Sequence, residues 1–501
     1  MESQSEAVPR RIKNDTLAFV WLAGLGSNMG EVSMHLEIDG LDAGLFRTGM
    51  EKNWDVKLNN GAKLSFRTTY IDGANDLHGF MIARIPKNQL TPGKAVQFKV
   101  TGSASNSSAW YMTFLEQIPT ELSINLYQAL YREKGKMMQP VVFQIVYFGQ
   151  PTEAIIQVND KDVFKMDMEF GIRSIQLGID PVQSDKQLKI ALISKPLQQE
   201  EYIIQKPVKE WKVGFVQHSH TDIGYTRPQH EILAEHLRFI DYALDYCDAT
   251  DHYPEESKFR WTCEASFAVD DYLRSRPSDQ IERLKSRIAE GRIEVSGMYF
   301  NFDEMPDEYS LAASLEPLKR FKEAGIPVRS AMQNDVNGIA WCFADYFKDL
   351  GVKYLNMGTH GHRALIAFDK PTAFWWESPS GRRTLTFRAE HYMTGNTVFG
   401  IHSDNFEYFE NKFLNYLSDL EAKDYPYDII HIQHSGYQTD NAPPSTRASD
   451  MIRRWNEKYE WPKLRTATVS EFFVELEKNH SEDLPVYRAA WPDWWTDGFA
   501  S

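Results

Sequence analysis

The chain is predicted to be an α/β protein: a (β/α)7-type barrel preceded by an all-β sandwich region. Three observations predict it. Residues 16–205 carry short β-rich runs separated by turn residues at roughly regular spacing. From Trp211 onward, short apolar strands alternate with helical patterns, as parallel βα architectures require. About seven such strands fall within some 260 residues, close to the size of a barrel. Periodicity alone does not separate a closed barrel from an open sheet.

In the first region, Ala18–Leu22, Val141–Tyr147 and Leu188–Ile193 read as strands, and Asn59-Asn60-Gly61 and Asp72-Gly73 as hairpin turns. The expectation for residues 1–205 is one sandwich or two small ones. Gln198–Lys209 is polar, carries Pro207 and reads as a linker. The barrel is expected over residues 206–480. Its elements follow in order. Val213–Val216 is a strand, then Leu233, Leu237, Ile240 and Leu244 recur at helical spacing. Phe259–Thr262 is a second strand. Ile281, Leu284 and Ile288 form a helix face ending at Gly291, and Ile293–Gly297 starts the next strand. Leu311, Leu315, Leu318 and Phe321 mark another helix, before a strand at Val328–Ala331. Phe343, Phe347 and Leu350 precede Gly351, and strands are expected at Val352–Met357, Thr384–Phe387 and Ile429–Ile432. Residues 481–501 are aromatic-rich and read as the start of a following domain.

Composition bounds the function. The 501 residues are 42% hydrophobic and 25% charged, as in ordinary globular proteins, and the net charge of −15 argues against a nucleic-acid backbone as partner. The three cysteines, Cys247, Cys263 and Cys342, are scattered and form neither a disulfide framework nor a metal knuckle. Met1–Asp15 has no apolar core of a signal peptide, and no apolar run is long enough to span a membrane, so no membrane partner is expected. Compartment and oligomeric state stay open.

Site residues are sought where strands end. His218-Ser219-His220-Thr221-Asp222 follows the first barrel strand directly. His220 and Asp222, two residues apart, can aim a nitrogen and an oxygen at one divalent metal such as zinc. Asp303, Asp335 and Asp440 share that context, each in a loop after an apolar strand. In a barrel these loops open on one face. A turn-forming role is the plain alternative for each.

Four segments together resemble the zinc-dependent α-mannosidases of glycoside hydrolase family 38. They are His218–Thr226, Gly291–Glu304, Gln333–Gly338 and Tyr437–Pro444, in the family's order. The resemblance implies a retaining glycoside hydrolase acting on an oligosaccharide or glycoside. It implies that His220, Asp222 and Asp303 bind one Zn2+, with Asp440 as fourth ligand and His434 as the alternative. Asp303 would double as the catalytic nucleophile, and Asp335 would contact the sugar. Tyr225 stands where the family often has Trp and offers an aromatic face to substrate. The family's acid is an Asp in a region that here reads Arg388-Ala389-Glu390-His391, so Glu390 and His391 are the candidates for that role. A metal-dependent carbohydrate deacetylase and a carbohydrate-binding protein with a degenerate site are the competing readings.

Overall fold

The structure, a computed structural model, describes residues 1–26, 32–49, 51–71, 76–104, 109–114, 118, 120–195, 197–224, 226–302, 306–361, 365–437 and 439–492. Two candidate site residues, Tyr225 and Asp303, and the Asp72-Gly73 turn, therefore lie outside the described residues. The chain divides into two compact units. One comprises Met1–Asn125, Val142–Gln176 and Gln187–Ile204, the other Leu126–Val141, Leu177–Lys186 and Gln205–Ser501.

The first unit is all-β and antiparallel. A five-stranded sheet runs in the order Asn53–Lys57, Lys63–Ile71, Leu77–Pro86, Thr16–Gly26, Trp110–Phe114. A four-stranded sheet runs Glu2–Ala7, Ala95–Gly102, Ser33–Ile38, Leu41–Arg47. Leu25, Leu36, Leu64, Phe66 and Phe98, drawn from both sheets, belong to one buried core. The alternating burial of Ser33–Ile38 shows why: every second side chain is apolar and points inward. A further four-stranded sheet ends on Gln198–Gln205. The linker reading is thus corrected for those residues. The segment is polar because it lies at the end of the sheet order with one face in solvent, where even Tyr202 and Ile204 are exposed.

The second unit is mixed α/β. Its strands are numbered here β1 (Lys212–Gln217), β2 (Trp261–Cys263), β3 (Ile293–Val295), β4 (Ser330–Asn334), β5 (Tyr354–Gly358), β6 (Thr372–Glu377), β7 (Arg383–Ala389), β8 (Ile429–His434) and β9 (Lys463–Ala467). β1 pairs in parallel with β8 and β9, β2 with β3, and β5 with β4 and β7. The Gly297 amide donates to the Ser330 carbonyl at 2.7 Å, joining the end of β3 to β4. β2, β3, β4, β5 and β8 are buried along their whole length, which is why they do not show the alternation of a half-exposed strand. β6 runs antiparallel to β7, and β6 and β9 are strands that the sequence pattern did not separate.

The helices cover this sheet with apolar stripes. Leu237, Ile240 and Leu244 of the helix Gln229–Ala249 share a core with Trp261, Val295, Leu355 and Met357. Gly291 and Gly351 stand just past two helix ends with φ of 73° and 82°, the left-handed conformation that glycine adopts without a Cβ clash. Among the described residues, no helix is long and apolar enough to cross a membrane.

Candidate metal centre

The loop after β1 continues the sheet and then turns its side chains inward. The His218 amide donates to the His434 carbonyl at 3.0 Å, so the β1–β8 pairing runs one step past the strand. The His220 amide donates to the Asp440 carbonyl at 3.0 Å and to Ser435 Oγ at 2.9 Å. Both imidazoles are buried, His220 being only 1% exposed. Its Nε2 lies 3.3 Å from Asp222 Oδ1 and 3.9 Å from Asp335 Oδ2. His220, Asp222 and Asp335 offer one ligand atom each, all within 4.8 Å of one another. One imidazole nitrogen and two carboxylate oxygens suit a zinc-like divalent cation.

Each member is held by a partner of its own. Asp222 receives Asn441 Nδ2 at 2.5 Å, while its amide donates to Asn441 Oδ1 at 2.8 Å. Asp335 has φ of 73°, and its amide donates to the Gly358 carbonyl at 2.9 Å. Its Oδ1 lies 2.7 Å from His360 Nδ1. His360 is fixed in turn by Asn337, which accepts the His360 amide and donates to the His360 carbonyl, both at 2.8 Å.

Behind His220 stands Glu264, the residue after β2. It is 1% exposed, and its Oε1 lies 2.8 Å from His220 Nδ1. Asn301 Nδ2 reaches the same oxygen at 2.6 Å. Asn334 Nδ2 donates to Oε2 at 2.6 Å, and His218 Nδ1 lies 2.5 Å from Oε2. Burial alone would raise the Glu264 carboxyl, but the two imidazoles outweigh it and hold it well below the usual carboxylate range. The converse holds for His220: burial works against its charged form, and Glu264 and Asp222 together more than offset that. Sequence reading missed Glu264. The signal was present, since it is a carboxylate directly after an apolar strand, the same context that marked Asp222.

Tyr392 forms one wall. Its ring lies 4.5 Å from that of His220, its carbonyl is 2.9 Å from His218 Nε2, and its hydroxyl donates to Asp440 Oδ2 at 3.3 Å. Asp440 is not one of the three clustered ligands; its carboxylate is held by Tyr392 and by the Asn441 amide at 2.9 Å. His434, the alternative, is buried with its Nδ1 3.3 Å from His402 Nε2.

The two acid candidates differ. The His391 ring meets that of His360 edge-on at 4.4 Å, which brings it next to the Asp335 side of the centre. Burial, reinforced by His360, lowers it to about 3. Its Nδ1 accepts the Met393 amide at 2.9 Å, so the neutral ring carries its proton on Nε2. Glu390 is directed instead to Tyr416, whose hydroxyl donates to it at 3.4 Å, and to Arg388 at 4.0 Å. Burial raises the Glu390 carboxyl, with Arg388 pulling the other way.

The N-terminal domain profile of the glycosyl hydrolases family 38 matches residues 210–490, which include every residue of this centre. The chain belongs to glycosyl hydrolase family 38. An α-mannosidase from Enterococcus faecalis V583 is similar over 56% of this chain and 30% of its own, at 19% identity and a TM-score of 0.46. A family 38 protein from Enterococcus faecalis covers 56% of this chain and 29% of its own, at 16% identity and a TM-score of 0.40. A 4-alpha-glucanotransferase from Thermococcus litoralis covers 53% and 38%, at 14% identity and a TM-score of 0.33. This family 38 chain thus spans less than a third of the length of the first two structures. No curated protein matches it.

Proposed function

We propose that this family 38 chain carries the site of a retaining, metal-dependent glycoside hydrolase of α-mannosidase type. The observation that carries the reading is the convergence of His220, Asp222 and Asp335 within 4.8 Å. In this reading those three side chains hold a zinc ion. When bound, the ion supplies Lewis-acid chemistry, accepting neighbouring sugar hydroxyls and fixing the ring. Asp335 thereby takes a ligand role in addition to the sugar contact inferred from its motif. Asp303 and Asp440, which the family resemblance implies as ligands, complete the proposed metal site, and Tyr225 offers its ring to the substrate.

Asp303 is the proposed nucleophile. The residues before it support this: Asn301 is bonded to Glu264, and the Phe302 backbone is clamped by Gln333 Oε1 and Nε2, both at 3.2 Å. Asp303 attacks the anomeric carbon, the glycosidic bond breaks, and water then releases the sugar with retained configuration. For the proton on the leaving oxygen the two candidates stay Glu390, whose carboxyl burial raises, and His391, whose ring lies beside His360 at the Asp335 side of the centre. We also read the parallel strands as curling into one barrel, with the Gly297–Ser330 bond as one of its seams.

The deciding experiment is turnover of an aryl α-mannoside with an activated leaving group. Activity should vanish on exhaustive chelation, return with zinc and be lost in Asp303→Ala. Full turnover in the chelated protein would refute the metal role. Release of acetate from an acetylated sugar, with no glycoside cleavage, would move the assignment to a deacetylase.

A further inference from the structure

We infer that Glu264 is the positioning residue that sets which nitrogen His220 presents to the metal. The inference rests on the reading of His220, Asp222 and Asp335 as a metal centre. An imidazole has two nitrogens, and a ligand histidine is useful only if the correct one is bare. Glu264 Oε1 lies 2.8 Å from His220 Nδ1 and holds the proton there. Nε2 is left facing Asp222 and Asp335. A carboxylate placed this way also raises the basicity of the ligating nitrogen.

Glu264 is itself immobilised by groups from several strand ends. Asn301 follows β3, Asn334 ends β4, and His218 and the Thr221 amide follow β1. Asn301 and the Thr221 amide donate to Oε1, Asn334 donates to Oε2, and His218 packs against Oε2, so the side chain, 1% exposed, is closed off from substrate. That separates it from a catalytic acid or base: it touches the ligand, not the sugar. A lesser role, filling a buried space with a polar side chain, would be served equally by glutamine. The geometry speaks against that equivalence, because a glutamine NH2 would confront either His218 and Asn334 or His220 and Asn301.

The test uses the full chain, stripped of metal and titrated with Zn2+ against a competing fluorescent chelator. Glu264→Gln should lower zinc affinity by about 10–100-fold, and the metal-free protein should remain folded but melt below wild type, because a buried N–H then faces another donor. A folded Glu264→Gln protein that loses less than about threefold would overturn the inference and leave the metal centre standing. Uptake of no zinc by the wild-type chain would remove the metal centre and this inference with it. A second measurement needs no variant. In 15N-labelled, zinc-loaded protein the His220 ring should show a protonated Nδ1 and a metal-bound Nε2. Metal on Nδ1 overturns the inference, and this readout decides the matter if Glu264→Gln does not fold.

Discussion

Asp335 combines an uncommon backbone with a charged task. Its φ of 73° lies in the left-handed region, where Asn and Asp are tolerated better than other side chains. Two substitutions separate the two demands. Asp335→Asn keeps the backbone tolerance and the shape, so the metal-free protein should melt near wild type while zinc affinity falls at least about tenfold. Asp335→Ala should lose the affinity and also about 1–2 kcal/mol of stability, read from urea unfolding. Equal melting of the two variants would show that the backbone carries no strain. At this scale the sequence was informative where a residue sits next to a readable strand. His220 and Asp222 were found that way, and Asp335 was placed near the sugar before its oxygen was seen 3.9 Å from His220. Glu264 escaped although its strand was read, because the expected strand Phe259–Thr262 stopped one residue short of the observed end at Cys263, which put Cys263 rather than Glu264 at the strand end. Nothing local in the sequence marks His360 as a support of Asp335, because the two are 25 residues apart and the bond between them is tertiary.

The elements show what close packing demands of the strand ends. A Cβ on Gly358, the last residue of β5, would collide with Asn334 Oδ1 and Gln433 Nε2. Gly358→Ala must therefore push Asn334 off Glu264 or displace β8. It should cost roughly 1–3 kcal/mol and weaken zinc binding as well, measured by denaturation and chelator competition. Loss of stability with unchanged affinity would show that the displacement runs toward β8. Gly436 is similarly confined by the backbone of Ala442, in the loop that carries Asp440 and Asn441. Helical faces and buried parallel strands were legible because their apolar spacing is a local property. Strand ends slid by up to three residues, as at Val328–Ala331, observed at Ser330–Asn334. β6 was missed because its antiparallel hairpin with β7 follows pairing, not composition.

For the whole molecule, acid is the condition that discriminates. Burial lowers His236 and His402 to about 4 and His431 to about 3, from an ordinary value of 6.5. Folded-state values below the unfolded ones mean that unfolding takes up protons below about pH 6.5. The stability these neutral rings contribute is complete above that pH and is lost as pH falls toward 3–4. The urea midpoint should drop between pH 7 and pH 5; a flat profile would mean that these rings are hydrated. Under the proposed function, zinc should act in the opposite sense, since a ligand bound only by the folded chain raises its melting temperature with concentration.

The crowding around Glu264 has a dynamic consequence. Loops following β1, β2 and β3 and the end of β4 all meet at one carboxylate. None can swing outward without unseating the rest, so solvent enters all of these loops together or none. Hydrogen exchange at the Thr221 amide, 3.3 Å from Glu264 Oε1, then reports a concerted opening of the pocket rather than the fraying of a single turn.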